Sequence, residues 1–134
     1  MCKAVVLIGV VTGIFILNTS FFQKYDLAKS VARGKEAYAN FCMNCHMEDG
    51  KGTDLFPPVA KTDYLKKPAN FLINIILQGQ SGAITVNKKQ YDALMPAQAY
   101  LTDEQIADVL NYIRNSMGNK ITTPITPNQV KALR

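Results

Sequence analysis

From residue 26 onward the apolar side chains recur at steps of three and four: Leu27, Val31, Gly34, Tyr38 and Phe41. That spacing lines one face of a helix, and Asp26 stands before it as an N-cap. A glycine inside such a stripe costs about 1 kcal/mol against alanine, so Gly34 predicts a point where another backbone crosses close by. Past residue 46, Gly50-Lys51-Gly52 and Pro57-Pro58 forbid regular structure. Pro68 opens a second helix, with Phe71, Leu72, Ile75 and Ile76 expected on its buried side and Gly79 at its end. Gln80 to Ala93 reads as a loop, with a small hairpin turning at Asn87-Lys88 and weak strand character at Ile84, Val86 and Tyr91. The clearest helix follows. Thr102 and Gln105 make a capping box, the stripe runs Ile106, Val109, Leu110, Ile113 and Met117, and Gly118 stops it. Thr126-Pro127-Asn128-Gln129 repeats the capping signal for a short final helix. These patterns predict an all-α domain of about four short helices.

The amino-terminal pattern differs. Met1-Cys2-Lys3 precedes Ala4 to Leu17, where Thr12 is the one polar interruption, and Phe21-Phe22 prolongs the apolar run beyond Asn18-Thr19-Ser20. One positive charge before such a run reads as a signal peptide or as a marginal membrane anchor over residues 4–22. No A-x-A cleavage site follows, which favours the anchor. Lys3 favours the inner side, so the rest of the chain is expected outside the cytoplasm, in the periplasm. The expected organisation is a leader or anchor at 1–23, a domain at 24–119, and a tail with a short helix at 120–134.

The chemistry is concentrated in Cys42-Met43-Asn44-Cys45-His46. This is C-x-x-C-H, the attachment pentad of a c-type haem. Two thiols on one helical turn can add across the two vinyl groups of a haem, and the adjacent imidazole is then held beneath the iron. His46 is the only histidine of the 134 residues. Zinc would need a fourth ligand, and the one cysteine outside the pentad, Cys2, lies far away. A thioredoxin-type C-x-x-C would need a βαβ context that the pattern lacks. A small domain is short of core for its size, so a haem joined covalently through Cys42 and Cys45 would supply missing apolar surface. Net charge is +5, with lysines scattered and not in runs, which argues against nucleic acid and for a basic protein-docking face.

The order of helix, C-M-N-C-H, glycine and proline loop, helix, late Met95-Pro96 and last helix resembles class I cytochrome c across about Asp26 to Gly118. Leu55-Phe56-Pro57-Pro58, the stretch from Val86 to Pro96, and Asp103-Glu104-Gln105-Ile106 are similar to the small cytochrome c domains of bacterial respiratory chains. The resemblance implies the class I fold, with the first and last helices crossing at Gly34 and Tyr38 against Val109, Tyr112 and Ile113. It also implies iron held by His46 and a methionine. Met43 and Met47 flank the pentad, Met117 completes an apolar stripe, and Met95 stands where the family carries its ligand loop. Pro57 or Pro58 would offer a carbonyl to His46; the sequence leaves that choice open.

The function so implied is one-electron transfer, not catalysis, between a quinol-oxidising complex or dehydrogenase and a terminal oxidase or nitrite reductase. Two other readings compete: a five-coordinate haem that binds a small gas, and a dedicated haem subunit of an oxidase or nitrite reductase complex. The pentad near the front of the domain disfavours the gas-binding bundle, which carries it near the end. Lys61, Lys66, Lys67, Lys88 and Lys89 are expected to border the haem edge, and Asp103, Glu104 and Asp108 to lie on the last helix, toward the back.

Overall fold

The computed structural model describes residues 25–134. The expected leader at 1–23, with its anchor at 4–22, lies outside the described residues; among the described residues no helix is long and apolar enough to cross a membrane. The helices are α1 (Leu27–Phe41), α2 (Met43–His46), α3 (Ala69–Gln78), α4 (Asp103–Asn115) and α5 (Pro127–Lys131). A 3-10 turn spans Tyr64–Lys66, and β1 (Ile84–Val86) pairs antiparallel with β2 (Lys89–Tyr91). The hairpin turns on Asn87 and Lys88, both with positive φ (48° and 68°), the geometry that matches the twist of paired strands.

Helices α1 and α4 form the frame. Asp26 caps α1 by accepting from the Lys29 amide, and Thr102 with Gln105 closes a full capping box on α4. They cross where Gly34 lies flat against α4: a β-carbon there would sit 2.0 Å from the Asp108 carbonyl oxygen and 2.7 Å from the Tyr112 Cβ. Tyr38 and Tyr112 then pack tilted at 5.6 Å. Below the crossing, Ile106, Val109, Leu110 and Ile113 are all buried, as the stripe predicts.

Several expectations are corrected by the packing. The buried residues of α3 are Leu72, Ile73, Ile76 and Leu77. Ile75 is only half-buried, and Phe71 is exposed, set edge-on to Tyr64 under the Lys67 ammonium. Asn70, Asn74 and Gln78 line one face of this helix, and Phe71 and Ile75 flank that polar stripe, beside the inner face and not at its centre. Helix α4 ends at Asn115, so Met117 lies beyond it with φ +54°. Asp108 does face away from the cleft, but it is 2% exposed. It accepts from Ser30 Oγ at 2.5 Å and from Arg33 Nε at 2.6 Å across the α1–α4 crossing.

Residues 120–134 contribute Ile125 and Val130 to the core, both fully buried. The buried amide of Asn111 holds this segment, donating to the Ile125 carbonyl at 2.7 Å and accepting from its N–H at 2.8 Å.

Candidate functional site

The pentad sits where α1 stops. The Cys42 N–H donates to Tyr38 at 2.9 Å, closing α1, and the Cys42 carbonyl accepts from the amides of Cys45 and His46 at 3.2 and 3.0 Å. One short turn therefore presents Cys42, half-buried, and Cys45, exposed. They are not joined to each other. Burial, and then the charge of Cys45, pushes the Cys42 thiol up to about 11.

His46 is oriented by its neighbours. Its Nδ1–H donates to the Pro57 carbonyl at 2.9 Å, since a carbonyl can only accept. Pro57, and not Pro58, thus lies against the ring, while both prolines line the same cleft. The carbonyl is aimed by a tight loop in which the Gly52 N–H donates to His46 O and the Thr53 N–H to Phe56 O, at 3.1 and 2.9 Å. The Tyr38 hydroxyl donates to Met47 O at 2.7 Å, tying the far end of the pentad to α1. Burial lowers the His46 pKa, partly offset by the bond to Pro57. A neutral ring with Nδ1–H engaged leaves Nε2 as the free lone pair.

Met95 reaches the same cleft from a distant segment. It is half-buried, and its backbone exchanges two 2.9 Å hydrogen bonds with Gln80. The approach depends on Gly79, at φ +76°, where a β-carbon would fall 2.5 Å from the Met95 carbonyl oxygen. Met117 does not line the cleft; its sulfur packs over Gly50. Among the described residues Met95 is the one methionine that shares the cleft with His46.

The cleft encloses about 1320 Å³ including its open mouth. Ile75, Ile76, Val109, Leu110 and Ile113 form part of its wall, and among the described residues no Asp, Glu, Lys or Arg side chain lines it. A flat, apolar, covalently tethered ring suits such a space. The donor set suits haem iron as well: two thiols on one turn, an imidazole with a free Nε2, and a thioether. The residues present therefore fit a haem c. Sequence reasoning missed Thr62, Tyr64, Leu65 and Gln98 as cleft residues. The hairpin alternation already marked Val86 and Tyr91, whose buried side chains also line it.

Comparison with known proteins agrees with this geometry. The cytochrome c family profile matches residues 31–117. The chain is 38% identical over 117 residues to cytochrome c-552 of Thermus thermophilus, a match spanning 81% of this chain and 78% of that protein. It is 29% identical to the cytochrome c subunit of a quinone alcohol dehydrogenase from Gluconobacter oxydans, over 75% of this chain but 22% of that subunit. With the gluconate 2-dehydrogenase cytochrome c subunit of Pantoea cypripedii the identity is 32%, over 87% of this chain and 29% of that subunit. Pentad, cleft and family match converge: the chain belongs to the class I cytochrome c family.

Proposed function

We propose that this protein is a one-electron carrier holding one haem c through Cys42 and Cys45, with His46 and Met95 as the axial ligands. Membership of its family makes it a haem electron-transfer protein; the ligand pair, the number of haems and the chain it serves are the finer reading. When bound, the haem supplies a ferrous–ferric couple, which a thioether ligand biases toward the ferrous state. The protein's own part is to hold and shield. Pro57 fixes the His46 tautomer, as outer-shell partners of metal ligands generally do. The Gln80–Met95 bridge fixes the thioether's approach, and the apolar wall excludes water, keeping the charge change in a low-dielectric setting.

The observation that carries the reading is Met95 sharing one apolar cleft with His46 while Met117 does not. An iron ligated on both faces leaves no site for a gas, which disfavours the five-coordinate alternative. We infer partners in a bacterial respiratory or denitrifying chain: a terminal oxidase, a quinol-oxidising complex or a nitrite reductase. A quinone-linked dehydrogenase is a further candidate, since cytochrome subunits of such enzymes match. The match to cytochrome c-552 spans most of that protein, whereas the dehydrogenase subunits are matched over about a quarter of their length; that favours a carrier over a dedicated subunit. A periplasmic site, anchored through residues 4–22, is part of the same proposal, and haem-stained membrane and soluble fractions test it.

The ligand test is spectroscopic. Met95→Leu should abolish the sulfur–iron absorption band near the red edge, and Met117→Leu should keep it. Met95→His should lower the potential by on the order of a few hundred millivolts, within the roughly 0.8 V that axial ligands span. A band lost with Met117→Leu and kept with Met95→Leu would reverse the assignment.

A further inference from the structure

The segment between Met95 and α4 has little regular structure to hold it. Its middle is pinned by the Gln98 N–H donating to Ile76 O at 2.8 Å, and Tyr100 lies edge-on to Phe41 at 6.2 Å, next to the attachment turn. Its far end is held by a residue from another part of the chain. Arg134 donates from Nη1 to the Ala99 carbonyl at 2.8 Å and from Nη2 to the Leu101 carbonyl. Its Nε also pairs with Asp103, the first residue of α4, at 2.5 Å. No other hydrogen bond of the described residues reaches those two carbonyls. Both ends of this ion pair are about two-thirds buried, at 33% and 28% side-chain exposure, so solvent screens it less than an open surface pair. The arginine is delivered by α5, whose Val130 is fully buried.

We infer that Arg134 is a positioning residue for Met95: its guanidinium clamps residues 99–103 and so holds the ligand segment closed over the cleft. The fork geometry matters, because one planar group satisfies two carbonyls and a carboxylate at once, which a lysine's point charge does not reproduce. The inference rests on Met95 being the distal ligand. Loss of the clamp adds open conformations to the segment, and a ligand that competes with Met95 gains by the fraction opened.

The test uses the full-length haem-loaded ferric protein titrated with imidazole, which displaces a weak thioether. Arg134→Ala should raise the apparent imidazole affinity by about tenfold, equivalent to about 1.4 kcal/mol, and Arg134→Lys should recover only part of the difference. Arg33→Ala, which loosens the fold at the α1–α4 crossing, controls for general destabilisation and should leave imidazole affinity within about twofold of the parent. Equal affinity in Arg134→Ala and the parent, or equal gains in Arg134→Ala and Arg33→Ala, would overturn the clamp. Met95→Leu separates the two readings. Retention of its sulfur–iron band removes the ligand assignment and the clamp together, whereas its loss alongside an unchanged Arg134→Ala removes the clamp alone.

Discussion

Gly34→Ala is a severe test of the α1–α4 crossing. In an exposed helix the substitution would stabilise by about 1 kcal/mol. Here the new methyl would meet the Asp108 carbonyl oxygen at 2.0 Å and its carbon at 2.6 Å. Both are backbone atoms of α4 and cannot rotate aside. Relief requires the helices to part by roughly 1 Å, and a gap of that size forfeits a quarter to a half of each neighbouring dispersion contact. The Tyr38–Tyr112 pair and the Arg33–Asp108 bonds lie across the same seam. Overpacking of this kind costs about 1–3 kcal/mol and sometimes more. Because both contacts are with backbone, the upper end of that range, about 3 kcal/mol, applies. Against the helix gain a net loss of about 2 kcal/mol is expected, or roughly 8–16 °C in the midpoint for a domain of this size. Thermal and denaturant unfolding of the haem-loaded protein, followed by helical circular dichroism, measures it. An unchanged or raised midpoint would refute the idea that close backbone approach is what requires glycine here.

Four further outcomes are expected. Arg33→Ala should destabilise by about 2 kcal/mol in denaturant unfolding: breaking a buried pair costs more, but Arg33 is half-exposed and Ser30 still serves Asp108, so a null effect would count against the network. Cys42→Ser combined with Cys45→Ser should lose haem stain on denaturing gels, and stain that survives would rule out thioether attachment. Lys66→Glu with Lys67→Glu should slow electron transfer to an acidic partner at low salt without moving the potential. Lys89→Glu should matter less, because Lys89 already pairs with Asp54 at 2.9 Å, and a rate blind to salt would point to docking through exposed Leu94 and Phe41 at the cleft mouth.

What the sequence made legible follows a physical line. Capping boxes, the α4 stripe and the pentad are short-range patterns, and each needs only its own neighbours to be read. Asp108 is the opposite case: an acidic residue in an amphipathic helix reads as solvated, and its burial depends on Ser30 and Arg33, 78 and 75 residues away. The choice of Pro57 over Pro58 depends on which way a carbonyl points, a torsion that residue types do not fix. Arg134 gave no signal at all, since a lone basic residue looks the same on a clamp as on a surface.

The proximal contacts have a different reach in the chain. Tyr38 bonds Met47 nine residues on, and His46 bonds Pro57 eleven residues on, so the setting of the attachment turn is complete within one short stretch. That stretch precedes α4 in the chain, and these two hydrogen bonds need no residue of the long-range frame, although Tyr38 also packs on Tyr112 and Gly50 under Met117. The local setting of Cys42, Cys45 and His46 is then separable from the α1–α4 crossing, so covalent haem attachment is expected to tolerate damage to that crossing. Variants that ruin the frame, Gly34→Ala among them, should on this view still carry covalent haem on a denaturing gel while losing helical signal in solution. On that expectation, stability defects at the crossing would surface as haem-bearing chains that fail to close, not as empty ones.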